Sequence, residues 1–149
     1  MTVFTPTYNR AYTLHLCYES LKKQTCKDFV WLIVDDGSTD NTKELVERWK
    51  NEKEIEIRYY YQENQGMHGA HNAAYRLIDT ELNVCVDSDD YLAWDAVGKI
   101  IDFWNSNRYE KYAGIVALNA KRDGTVIGTK LPENLHSSAL WKLYAKHGV

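Results

Sequence analysis

The sequence predicts an α/β fold, a mostly parallel sheet flanked by helices. Three observations carry that expectation. Short apolar runs alternate with longer amphipathic stretches, two of those runs end abruptly in acid, and no stretch reads as a linker or low-complexity tract. Strands that alternate with helices of this length return to parallel neighbours through right-handed crossovers.

Thr2–Pro6 reads as a first strand, and Ala11–Gln24 follows with Leu14, Tyr18 and Leu21 at helical spacing. Phe29–Val34 is continuous, β-branched and aromatic, as a strand buried on both faces of a parallel sheet should be. After it, Gly37-Ser38-Thr39-Asp40 supplies turn and N-cap chemistry, and Leu45, Val46 and Trp49 mark the inner face of a second helix. Ile55–Tyr61 is a third strand, Gly69–Ile78 a short helix and Leu82–Val86 a fourth strand. Trp94, Val97, Ile101 and Trp104 give a further amphipathic helix. Gly114–Leu118 is expected to be a strand, and Asp123-Gly124 to turn a hairpin between Asn119 and Gly128. Tyr59, Tyr60, Tyr61 and the tryptophans are expected in core and cross-strand packing rather than in a sugar-stacking platform. Lys22-Lys23 and Lys50–Lys53 read as solvated helix ends.

With 149 residues, 44% hydrophobic and 26% charged, the chain has apolar material for one globular domain, expected to span 1–149. A formal charge of -3 and a pI near 5.9 provide no basic field for nucleic acid or an anionic membrane. Any phosphate must therefore be met locally, and a bridging cation would do that. Cys17, Cys26 and Cys85 are odd in number and lack metal-site spacing, so buried free thiols are expected. The longest apolar run, Phe29–Val34, is far short of the roughly 20 residues of a membrane helix. No signal peptide opens the chain, so a cytoplasmic location is expected, with the full-length protein peripheral at the inner membrane face as the variant. Nothing in the sequence fixes an oligomeric state.

In open parallel sheets, ligands sit outside the carboxyl ends of strands, where the strand order reverses. Asp35-Asp36 closes the second strand and Asp87-Ser88-Asp89-Asp90 the fourth, which brings two distant acid clusters to one edge. Three carboxylates in four positions repel one another, and Asp is a poor strand former. Mg²⁺ or Mn²⁺ would resolve that conflict, because such hard ions take one or two carboxylates together with a substrate's phosphates. The plainer alternatives stay open: Asp87–Asp90 as a polar turn capping a helix that starts near Ala93, and Asp35-Asp36 as turn chemistry. His68 and His71 lie three apart near a helix start, where they either face a phosphate or pack. Gly66 and Gly69 match neither a dinucleotide fingerprint nor a P-loop.

Several motifs occur in a fixed order: Thr5-Pro6-Thr7-Tyr8-Asn9-Arg10, Gln24-Thr25, Val34-Asp35-Asp36-Gly37-Ser38-Thr39-Asp40, Asn64-Gln65-Gly66, Ala70-His71-Asn72 and Asp87-Ser88-Asp89-Asp90. The set resembles the family-two inverting glycosyltransferases of the GT-A fold, from Thr5 through Leu92. That resemblance implies a Rossmann-like nucleotide-diphospho-sugar transferase sheet whose donor-binding half covers about residues 1–92. It implies that Pro6, Tyr8 and Asp36 hold the nucleobase of a nucleotide-diphospho-sugar, with uridine the common base, and that Tyr8 stacks. Asp87 would lie near the ribose or the metal. Asp89 would bind the Mn²⁺ or Mg²⁺ that bridges the diphosphate, supported from behind by Asp90 and Asp35, and His68 and His71 would contact the diphosphate. His71 stands where many relatives carry arginine.

The implied reaction transfers the sugar, with inversion, to a hydroxyl of a carbohydrate or lipid-linked acceptor in polysaccharide or cell-envelope glycan synthesis. Relatives place the catalytic base well downstream of the Asp-x-Asp motif. Only Asp123 and Glu133 are carboxylates after Gly114, and both read as turn or surface residues. The chain, which ends at Val149 soon after Leu140–Tyr144, is thus expected to be truncated and to lack the base. Two other readings compete: a receiver-type Mg²⁺-dependent phosphoacceptor domain, and a non-catalytic nucleotide-binding module or nucleotidyltransferase.

Overall fold

The computed structural model describes residues 1–108, 110–121, 123–128, 137–139, 142 and 145. It divides into two compact units, Met1–Tyr109 and Glu110–Val149.

In the first unit, strands and helices alternate: β1 (Thr2–Thr7), α1 (Ala11–Lys22), β2 (Val30–Asp35), α2 (Thr42–Glu52), β3 (Glu56–Tyr61), α3 (Gly66–Leu77), β4 (Asn83–Cys85) and α4 (Ala96–Ser106). The sheet order is β3-β2-β1-β4, and every pairing is parallel. Thr2 aligns with both Val30 and Asn83, and Thr7 with Asp35, so the chain leaves all four strands on one edge. The order runs outward from β1 to β3 and then returns to the other side of β1. The reversal lies between β1 and β4.

All six residues of β2 are buried, as its unbroken apolar run requires of an inner strand covered on both faces. On one face Val3, Trp31, Ile33 and Ile57 pack against Leu14, Tyr18 and Leu21 of α1, Val46 and Trp49 of α2 and Val97 of α4. Tyr18, Trp31 and Trp49 form a triangle of rings, with the Tyr18 centroid 4.4 Å from Trp49 and 6.1 Å from Trp31 and the two indoles 5.8 Å apart. The Trp31 indole donates to Thr5 Oγ1 at 2.9 Å, so the ring buries its polar edge satisfied. The other face is thinner: Phe4, Leu32 and Val34 meet Ala70, Ala73 and Ala74 of α3. The tryptophans expected in the core are divided. Trp31 and Trp49 are inside, whereas Trp94 is 64% exposed and precedes α4. Tyr60 and Tyr61 also depart from the packing expected of them, because β3 is an edge strand that leaves them exposed.

Among the described residues of the second unit, Asp123-Gly124 turns a minimal hairpin, with an antiparallel bridge from Ala120 to Val126. Asp123 Oδ1 accepts from Thr125 N at 2.9 Å, and Gly124 takes a φ of +85°, a backbone conformation that glycine enters without strain. Gly114–Leu118 is not a strand. Ile115, Val116 and Leu118 are exposed, and β-propensity without a paired neighbour does not hold an extended ladder. Glu133 lies outside the described residues. Among the described residues, no helix is long and apolar enough to cross a membrane.

Candidate functional site

Three loops at the carboxyl edge, after β1, β2 and β4, bring the acids together, and the β3–α3 segment packs against Asp36. The β1–α1 loop is the middle one, and it contacts both neighbours. Asn9 adopts the left-handed region at φ +52°, which a short amide side chain tolerates better than most. Its Oδ1 accepts from Thr39 N at 2.8 Å and Asp40 N at 3.2 Å, and its own N–H donates to Ser38 Oγ at 2.9 Å. The β2–α2 loop is thereby clamped to β1. Asp40 completes the clamp: Oδ2 accepts from Ala11 N at 3.1 Å, and Oδ1 from Thr42 N and Oγ1 at 3.1 and 2.6 Å. One carboxylate thus satisfies the first turns of both α1 and α2. Burial opposes its ionisation, yet these hydrogen bonds carry its pKa below the ordinary 3.8.

On the other side, Arg10 Nη1 approaches Asp89 Oδ2 at 3.5 Å. The β1 tip therefore touches both the loop after Asp36 and the loop holding Asp89, as expected if the two acid clusters share one crevice.

Asp35 and Asp36 are both buried, but their carboxylates do different work. Asp35 Oδ1 accepts from Ser38 N at 2.8 Å, and Oδ2 from the Tyr59 hydroxyl at 2.5 Å, so both oxygens are spent on structure. Burial, then the hydrogen bond to Asp35, raises the Tyr59 phenol and keeps it a donor. Asp36 Oδ1 accepts from Gln62 Nε2 at 2.6 Å and Gln65 N at 3.0 Å. Among the described residues nothing bonds Asp36 Oδ2, which leaves one acceptor for a ligand. Asn64 Nδ2 donates to the Asp36 carbonyl at 2.8 Å, and a Cβ on Gly37, at φ +88°, would come within 2.9 Å of Asn64 N. The β3–α3 segment is thus packed tightly around Asp36. Tyr8, half exposed, follows β1, while Pro6 pairs in register with Val34.

The Asp87–Asp90 loop is anchored from behind by the C-terminal end of α1. Gln24, 3% exposed, donates to Ser20 O at 3.2 Å and Ala93 O at 2.7 Å, and its Oε1 accepts from Val97 N at 3.0 Å. Ser20 Oγ accepts from Leu92 N, and Thr25 N donates to Trp94 O. Asp95 is the N-cap residue of α4 but its side chain makes no capping bond; Gln24 Oε1 supplies one instead, and Asp87, Asp89 and Asp90 make none. The acids therefore do not serve that helix N-terminus, contrary to the capping alternative. Asp87, Asp89 and Asp90 are all exposed at the surface. Burial, then the charges of Asp87 and Asp89, raises the Asp90 carboxyl. That strain is what a cation would relieve.

The donor set is oxygen only, which suits Mg²⁺ or Mn²⁺. Among the described residues no three His, Cys, Asp or Glu side chains gather to hold a metal by themselves. A fit therefore requires one or two carboxylates plus oxygens from a ligand. Burial and then the charge of the neighbouring Asp87 push the Cys85 thiol up to about 12. Cys17 is pushed equally far, chiefly by burial.

His68 lies in the exposed first turn of α3 at the carboxyl edge. His71 instead sits edge-on to Phe4, with centroids at 5.5 Å, in the packed rim below. Sequence reasoning missed Asn9, Gln62 and Asn64 as the residues that fix the loops. Their place inside the ordered motifs, or beside Asp36's strand tip, was the available signal.

A parallel sheet whose order reverses between β1 and β4, with acids following β2 and β4 at its carboxyl edge, defines an open α/β domain of the kind that binds ligands at that edge. The family model "Glycosyl transferase family 2" matches residues 2–138, and the chain belongs to that family. Its fold is of the GT-A type. The chondroitin synthase of Escherichia coli is 32% identical over 128 residues, 85% of this chain but 18% of that protein. The crystal structure of S. aureus TarS 1-349 in complex with UDP-GlcNAc superposes with a TM-score of 0.67 at 28% identity, covering 72% of this chain and 31% of that one. A Pyrobaculum calidifontis mannosyltransferase in complex with GDP-Man and Mn²⁺ gives 0.63 at 28% identity, covering 69% and 31%. The chain thus spans a third or less of these proteins. The receiver alternative fails on topology, since receiver sheets run 2-1-3-4-5 and here β1 pairs with β2 and β4.

Proposed function

We propose that this chain is the donor-binding part of a glycosyltransferase that takes a nucleotide-diphospho-sugar, with uridine as the base, together with Mg²⁺ or Mn²⁺. The sugar passes, with inversion, to a hydroxyl of a carbohydrate or lipid-linked acceptor in polysaccharide or cell-envelope glycan synthesis. The observation that carries this reading is the β1–α1 loop touching both acid tips, through Asn9 on one side and Arg10 on the other. The complexes of the two structural relatives with UDP-GlcNAc, and with GDP-Man and Mn²⁺, support the ligand class.

In this reading Tyr8 supplies a half-exposed ring for the base to stack on, beside Pro6. Asp36 Oδ2 accepts from the base edge, while Gln62 and Gln65 hold the same carboxylate in place. That pairing favours a base presenting an N–H donor, as uracil does. Asp87 meets the ribose or the cation, and Asp89 is the cation's main protein ligand, with Asp90 behind it. His68, exposed in the first turn of α3, and His71 one turn on would meet the diphosphate. The cation, when bound, offsets the charge that builds on the diphosphate as the glycosyl bond breaks. The general base that takes the acceptor proton lies outside these three loops.

Calorimetry tests the reading. UDP should bind in the presence of Mn²⁺ and lose that affinity with excess chelator. Asp89→Ala should abolish the metal-dependent part while the apo melting temperature stays level or rises, because one of three repelling charges is gone. Equal UDP affinity with and without chelator would refute the metal, and a sharp fall in the apo melt of Asp89→Ala would make the acids structural.

A further inference from the structure

Arg10 ends the β1–α1 loop, and the left-handed turn at Asn9 sends its chain across the β1 tip toward the β4 loop. Its half-exposed guanidinium places Nη1 3.5 Å from Asp89 Oδ2 and 3.0 Å from the Tyr12 hydroxyl, to which it donates. The guanidinium carbon stands 5.9 Å from the Tyr12 ring centre. Among the described residues this is the only ion pair made by Asp87, Asp89 or Asp90, so Asp87 and Asp90 stand without a paired cation.

Resting on the donor-site reading above, we propose that Arg10 is an exchangeable cation of that site. It neutralises Asp89 in the absence of a divalent ion, releases Asp89 when the ion arrives, and then pairs with the donor's diphosphate. Three physical facts support the exchange. An exposed pair at 3.5 Å is weak and easily displaced. A guanidinium cannot shed its proton, so once displaced it remains a cation in need of an anion. Its planar fork also matches phosphate oxygens, and the Tyr12 hydroxyl keeps it close to the crevice.

The consequence is a thermodynamic coupling. A divalent ion arriving alone must compete with Arg10 for Asp89, whereas ion and diphosphate arriving together give each cation its own anion. Mn²⁺ and UDP should therefore tighten one another's binding reciprocally, with Arg10 adding to the coupling that the ion's own contact with the diphosphate supplies.

Calorimetry on the wild type, Arg10→Gln and Arg10→Lys would measure Mn²⁺ alone, UDP alone, and UDP in saturating Mn²⁺. Arg10→Gln should bind Mn²⁺ alone roughly two- to fivefold more tightly, since its competitor is gone. It should bind UDP in Mn²⁺ about tenfold more weakly. Arg10→Lys should restore part of the coupling, because the charge returns without the fork. Both variants should melt like the wild type, as the Arg10 side chain is 43% exposed. Coupling that persists unchanged in Arg10→Gln overturns the role of Arg10 alone. A wild type that binds neither UDP nor Mn²⁺ overturns the donor-site reading and this proposal with it.

Discussion

Asp90 shows how the site stores repulsion. Its carboxyl is held above the ordinary 3.8 by burial first, then by the charges of Asp87 and Asp89. A carboxyl raised in the fold binds its proton more tightly there than in the unfolded chain. Stability is therefore lost as pH rises through the folded value, and nothing is lost below the unfolded one. Asp90→Asn should raise the apo melting temperature at neutral pH, and the gain should vanish as pH falls toward 4. A gain that persists at low pH would assign the effect to packing instead. At this scale the sequence was only half legible. Asp35 and Asp36 are chemically identical neighbours, and nothing local says that Tyr59 and Ser38 occupy both oxygens of one while Gln62 and Gln65 leave an oxygen of the other open. That distinction comes chiefly from Tyr59 in β3 and from Gln62 and Gln65 just after it, more than twenty residues away. His71 shows the same limit: its spacing set it three residues after His68 in α3, but nothing local said that its ring would meet Phe4 edge-on.

Elements were more legible than residues, because periodicity and burial are statistical properties of whole segments. The continuous apolar run of β2 and the inner faces of α1 and α2 could be read directly, since each repeats the same physical demand over several positions. Gly114–Leu118 was misread because its β-branched and apolar character resembles a strand, and only a partner makes one. The β4–α4 loop carries the clearest element-scale prediction. Gln24 is buried and satisfies Ala93 O and Val97 N from outside their own segment. Gln24→Ala should lower stability by about 1–3 kcal/mol, the cost of leaving buried polar groups unpaired. It should also weaken metal-dependent UDP binding, although Gln24 touches no ligand. A denaturant melt alongside calorimetry checks both, and a loss of stability without loss of binding would mean that the acid loop holds its shape unaided.

For the whole molecule, the decisive feature is the reversal of strand order between β1 and β4. It carries α3 to the opposite face from α1, α2 and α4, and it leaves the crevice where the β1 tip bridges both acid loops. Alternation of strands and helices made the parallel sheet predictable, but the order β3-β2-β1-β4 depends on which edge β4 joins, and no local signal encodes that choice. A soak of crystals of this chain with UDP and Mn²⁺ would locate base and ion against the two acid loops. Uracil should lie beside Tyr8 with its N–H on Asp36 Oδ2, and Mn²⁺ between Asp89 and the diphosphate. Nucleotide bound away from the β1–α1 loop, or Mn²⁺ bound without contact to Asp87 or Asp89, would contradict that placement.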